Sequence, residues 1–124
     1  MKTYRQGDVL IIAVAKAPKI KRPEPLIHGR VVLAFGEVTG HAHALAGDAA
    51  VLTREPEIIE ALHRELVAKK IFQSDWRVDA LLEIADKPGR LQHEEHGTIE
   101  LPAGRYAVIR QREYSPEELR QVAD

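Results

Sequence analysis

Gly7-Asp8-Val9-Leu10-Ile11-Ile12-Ala13-Val14 opens on a turn signal and continues through a short apolar run in which β-branched residues are prominent. Such a run reads as a buried strand, too short for a core helix and far too short for a membrane span. Working outward, Arg30-Val31-Val32-Leu33-Ala34-Phe35 is a second strand closed by Gly36, and Glu37 to Leu45 is a third, with Gly40 marking a bulge or a close backbone approach. Ala49 to Thr53 follows the Gly47-Asp48 turn as a further short strand. Asp79 to Ala85 suits helix or strand; the Asp86-Lys87-Pro88-Gly89 turn behind so few apolar residues favours strand. Thr98 to Leu101 and Arg105 to Tyr114 are expected to form a hairpin across Pro102-Ala103-Gly104.

Between these strands the pattern changes. Ile58, Ile59, Leu62, Leu66 and Val67 recur at helical spacing, which predicts a helix from Pro56 to Lys70. Pro56 suits its first turn, Glu55 and Glu57 its positive end, and Lys69 and Lys70 its negative end. Ser115-Pro116-Glu117-Glu118 has the form of a capping box and predicts a short C-terminal helix. Three prolines keep Ala17 to Pro25 irregular or extended. The expected architecture is mainly β, one domain over residues 1–124. It is a small barrel or sandwich, the barrel preferred, with a helical insertion at 54–75.

Composition excludes several function classes. The chain has 124 residues and no cysteine, which rules out disulfide scaffolds, thiolate zinc sites, iron–sulfur clusters and thiol nucleophiles. A net charge of −1 argues against a generally basic nucleic-acid binder. The first thirty residues carry seven basic groups against two acidic ones, and Lys16 to Arg22 reads mainly as a solvated loop, with phosphate contact as the sharper alternative. The N-terminus lacks the apolar core of a signal peptide, so the expected location is the cytoplasm, with no membrane partner.

The unusual feature is histidine. Four of the six fall in two tight pairs, His41 with His43 and His93 with His96. On a strand the first pair points to one face; at a spacing of three, the second pair are neighbours on a helical turn. Together they offer four imidazoles to one metal ion. Without thiolates the candidates are Zn²⁺, Fe²⁺, Mn²⁺ or Ni²⁺ rather than Mg²⁺ or Ca²⁺. Glu94 or Glu95 is the candidate general base, and Glu37 the carboxylate that orients an imidazole. His28 and His63 stand apart, His63 on the polar side of the helix.

Gly36-Glu37-Val38-Thr39-Gly40-His41-Ala42-His43, His93-Glu94-Glu95-His96-Gly97 and Arg110-Gln111-Arg112-Glu113-Tyr114-Ser115-Pro116-Glu117, with Tyr4-Arg5-Gln6-Gly7-Asp8-Val9 at the start, resemble a family of small uncharacterised bacterial and phage proteins. That resemblance covers both ends and departs at 54–75; it implies no particular chemistry. A fainter likeness to the cupins rests on Gly40, His41 and His43 with the Pro102-Ala103-Gly104 turn, and implies a metal-bearing barrel. The glutamate soon after His-x-His and the histidine after Pro-x-Gly that cupins carry are both absent here.

Three function classes follow. The first is a metal-dependent hydrolase or oxygenase acting on a small-molecule or phosphate-containing ligand. The second is a metal-independent nuclease or phosphodiesterase, with histidines as acid and base and Arg105, Arg110 or Arg112 neutralising phosphate. The third is a non-enzymatic interaction module presenting helix 56–70 to a partner. Nucleic acid and a second copy of the chain both stay open as partners.

Overall fold

The computed structural model describes residues 2–36, 40–73 and 76–111. In chain order these form β1 (Thr3–Gln6), β2 (Val9–Ala13), β3 (Arg30–Phe35), β4 (Ala42–Ala46), β5 (Ala50–Thr53), α1 (Pro56–Ala68), β6 (Trp76–Ile84), β7 (Gly89–Leu91), β8 (Ile99–Leu101) and β9 (Gly104–Gln111). An antiparallel five-stranded sheet in the order β1-β2-β9-β6-β5 is the central layer. The hairpins β3–β4 and β7–β8 cover one face, and α1 covers the other.

This layering explains why the central strands are apolar without alternation. Val9 and Ile11 of β2 face the hairpins, while Leu10 and Ile12 face the helix; all four are buried. In β9, Tyr106 and Val108 join the first core, and Ala107 and Ile109 the second. A strand covered on both sides needs no polar face. In β6 a register shift between Val78 and Ala80 turns the chain so that Val78 and Leu81 both meet the helix, although their spacing is odd.

Helix α1 begins at Pro56 as expected and ends at Ala68; Lys69 is the C-cap rather than part of the last turn. Ile58, Leu62 and Leu66, one turn apart each time, are its buried stripe. They pack on Leu10, Ile12, Leu81 and Ile109, so the apolar face of the helix is consumed within the fold.

Two expectations are corrected. The sheets form a sandwich-like stack and do not close into a barrel of the cupin kind, because among the described residues β1 and β5 end the central sheet unpaired on their outer sides. The run 98–101 does not pair with the run from 105. β8 pairs with β7, while β9 enters the centre of the large sheet between β2 and β6. The Pro102-Ala103-Gly104 segment therefore carries the chain from one layer to the next, and the Tyr106 hydroxyl donates to the Pro102 carbonyl at 2.5 Å to hold that corner. With both faces buried, β9 gains far more as a central strand than as half of a peripheral hairpin. The expected C-terminal helix and the last part of the 105–114 strand lie outside the described residues. Among the described residues no helix is long and apolar enough to cross a membrane.

Arg54, just after β5, ties the layers together. It donates to the Leu33 carbonyl at 2.6 Å and to Asp79 at 3.2 Å, and it pairs with Glu24 of the proline-rich segment.

Because the helix packs on its own sheet, Leu62→Ala should lower unfolding free energy by about 2–5 kcal/mol. Val67→Ala, at a position 49% exposed, should change it by less than about 0.5 kcal/mol. Urea titration of the two variants measures both; equal, negligible effects would mean that the buried stripe contributes nothing to the fold.

Candidate functional site

The site is assembled from three short segments. Gln6 pairs with Val9, so Gly7 and Asp8 are the two-residue turn between β1 and β2, and Gly7 has a φ of 60°. His43 lies in β4, with Ala42 and Ala44 in a small cluster against Val32. Just beyond β7, Gln92 exchanges two backbone hydrogen bonds with Ala44, at 2.9 and 3.0 Å. That bridge sets the His93 to His96 segment beside His43.

Gln6 is buried and connects all three. Its amide nitrogen donates to the carbonyls of Leu91 at 3.1 Å and Gly97 at 2.9 Å. Two carbonyls can only be met by the NH₂ end, so the orientation of the amide is fixed. Its oxygen therefore faces His43 Nδ1 at 2.8 Å and must accept a proton from it. His43 is thus held as the Nδ1–H tautomer, with a bare lone pair on Nε2. Burial holds the ring's pKa at about 4, below the ordinary 6.5; the His93 ring also lowers it, Asp8 partly opposes the shift, and His96 and Arg110 add to the lowering. At neutral pH this imidazole is uncharged.

Asp8 Oδ1 lies 3.5 Å from that Nε2. The other carboxylate oxygen, Oδ2, takes both donors of Arg110, Nε at 3.2 Å and Nη2 at 2.9 Å. Of the arginines considered for phosphate contact, Arg110 is committed to Asp8. Arg105 pairs with Glu83 and donates to the carbonyls of Ala17 and Pro18; Arg112 lies outside the described residues.

The four paired histidines do meet. Ring centroids are 4.3 Å apart for His43 and His93, 4.6 Å for His93 and His96, 5.9 Å for His43 and His96, and 5.9 Å for His41 and His93. The 93–96 segment is a bend rather than the expected helical turn. Two glycines lie close against the cluster. A Cβ on Gly7 would come within 2.9 Å of His96 Nε2 and 3.3 Å of His43 Cε1, and one on Gly36 within 3.0 Å of His93 Nε2.

The members are not equivalent. His93 Nδ1 accepts the Glu95 backbone N–H at 3.0 Å, which leaves its Nε2 as the protonated nitrogen of the neutral ring. His41 lies at the edge, its Nδ1 3.1 Å from Glu95 Oε1 but out of line for a hydrogen bond. Glu94 accepts the Ala42 N–H at 2.8 Å, and that hydrogen bond above all holds its carboxyl below the usual carboxylate range. Glu94 is therefore occupied in fastening the histidine bend to β4, whereas exposed Glu95 lies beside His41. Glu37 lies outside the described residues. His28 is exposed, and exposed His63 packs edge-on against Phe72 at 4.4 Å, both apart from the cluster. Among the described residues no group of three or more His, Asp or Glu side chains is placed so that it could hold a metal ion.

Gln6 and Asp8 are the site residues that spacing alone does not reveal. A glutamine before a Gly-Asp turn carries no chemical signature, and both reach partners more than thirty residues away. Their only signal is their place in the opening Tyr4 to Val9 motif.

The chain belongs to a family described as a domain of unknown function, DUF8820, whose match covers residues 5–111 and so includes Gln6, Asp8, Arg110 and all four clustered histidines. Neither a curated protein nor a solved structure matches it.

The neutral state of His43 makes stability pH-dependent. The unfolded ring takes up a proton below pH 6.5, whereas the folded ring does so only near pH 4. Its contribution is therefore intact above pH 6.5 and falls away as pH drops towards 4, by on the order of 3 kcal/mol in all. Urea unfolding of chelator-treated protein between pH 7.5 and 4 should show this slope, and His43→Gln should flatten it; an equal slope in the variant contradicts the assignment.

Proposed function

We propose that the protein binds a divalent transition metal at the cluster of His41, His43, His93 and His96, and that the site serves hydrolytic chemistry on a small, phosphate-containing or otherwise polar ligand. The observation that carries this reading is His43: buried, neutral, and locked by Gln6 with its Nε2 lone pair turned to a group of further donors. A buried imidazole whose far nitrogen is anchored by an amide oxygen is the usual arrangement of a metal-ligating histidine, because the anchor fixes both tautomer and ring direction.

The donor set also fits. It consists of imidazole and carboxylate, in a chain without cysteine, which suits Zn²⁺, Fe²⁺, Mn²⁺ or Ni²⁺. Such an ion, when bound, supplies Lewis acidity and lowers the pKa of a coordinated water towards neutrality. The chain's own residues provide the rest. Exposed Glu95, beside His41, can accept and pass on a proton, and Glu94 holds the histidine bend against β4. The interaction-module reading is less well supported, since the buried face of α1 is taken up by the sheet.

Elemental analysis of untagged protein tests the reading. Near-stoichiometric transition metal is expected, lost in the His41→Ala/His43→Ala double variant. Metal-free protein whose thermal stability is unchanged by a chelator would overturn it.

A further inference from the structure

His43 Nε2 and Asp8 Oδ1 pose a problem of their own. With Nδ1–H given to Gln6, Nε2 of the neutral ring carries no hydrogen, and an ionised carboxylate oxygen has none to give. Two acceptors thus face each other at 3.5 Å beside a buried ring, with no hydrogen bond between them. Bare lone pairs turned towards one another are unfavourable unless a cation lies between. Their separation is also informative. In a tetrahedral shell with bonds of about 2.0–2.1 Å, neighbouring donor atoms lie roughly 3.3–3.4 Å apart. The observed distance is that of two ligands on one ion, and is longer than a hydrogen bond.

Arg110 strengthens the case by the way it binds. An arginine fork commonly takes both oxygens of a carboxylate, one donor to each. Here Nε and Nη2 both converge on Oδ2. Oδ1 is left free on the side of His43. Gln6 anchors the imidazole from behind, Arg110 anchors the carboxylate from behind, and the free atom of each points to the same place. Gly7, between Gln6 and Asp8, has no side chain to obstruct His96, whose Nε2 would be 2.9 Å from a Cβ there.

From this arrangement we infer that Asp8 is a direct carboxylate ligand of the metal, paired with His43. His93, whose Nδ1 is already occupied, remains a hydrogen-bond donor beside the ion. The inference rests on the metal-binding reading above and deepens it. It changes the predicted shell from four imidazoles to a mixed nitrogen and oxygen set, which favours Zn²⁺, Mn²⁺ or Fe²⁺ over softer ions such as Cu⁺. Arg110 is a positioning residue, acting through Asp8.

The test titrates Zn²⁺ into chelator-stripped, full-length wild-type protein and the variants Asp8→Asn and Arg110→Met. The side-chain carboxyl ¹³C resonance of Asp8 is followed in the wild type, where no substitution can disturb folding. The expected result is a shift of that resonance on saturation with Zn²⁺, a Kd at least about tenfold weaker in Asp8→Asn, and a smaller loss in Arg110→Met. If the wild type binds Zn²⁺ while the Asp8 resonance stays in place, the inference is overturned and the histidine reading stands, whatever the variants do. If the wild type takes up no Zn²⁺, both are overturned.

Discussion

The Gln6 carboxamide is the contact on which both the site and its surroundings depend. One neutral side chain joins the β1–β2 turn to the end of β7, to Gly97 beyond the histidine bend and to His43 in β4. All its hydrogen-bonding capacity towards those elements is used in a place closed to water, where an unmet donor or acceptor costs about 1–3 kcal/mol. Rotating the amide would set nitrogen against nitrogen and oxygen against two carbonyls. The orientation of Gln6 and the tautomer of His43 are therefore one structural decision.

That decision organises the rest of the site. Asp8 Oδ1 lies 3.5 Å from the Nε2 of His43, and Arg110 keeps the carboxylate turned that way by occupying its other oxygen. The three residues come from the β1–β2 turn, from β4 and from β9, so the large sheet and a covering hairpin must be in register before the site exists. Glu94 and the Gln92–Ala44 bridge then fasten the His93 to His96 bend over it. The fold and the histidine cluster share contacts, and a Cβ on Gly7 or Gly36 would crowd an imidazole.

Much of this was legible in the sequence, and unevenly so. β2, β3, β5 and the start of α1 lie where short apolar runs and a helix-start proline put them, because local pattern and burial agree there. The pairing of β9 did not follow, since a Pro-Ala-Gly segment suits a hairpin and a corner between layers equally well; long-range burial decides between them. β1 and β7 are short and partly polar and give little periodic signal. The convergence of two histidine pairs some fifty residues apart was a matter of spacing and number. The roles of Gln6 and Asp8 were not legible, because an amide or a turn aspartate acquires meaning only from the atom that it meets across the fold.

The state of the His43 ring is the most direct point of attack on this account. Long-range ¹H–¹⁵N correlation spectroscopy of metal-free protein at pH 7, with the resonance assigned by its loss in His43→Gln, reports which nitrogen bears the proton. The account predicts a neutral ring with the proton on Nδ1 and a bare Nε2. A proton on Nε2, or a ring protonated on both nitrogens, would contradict it.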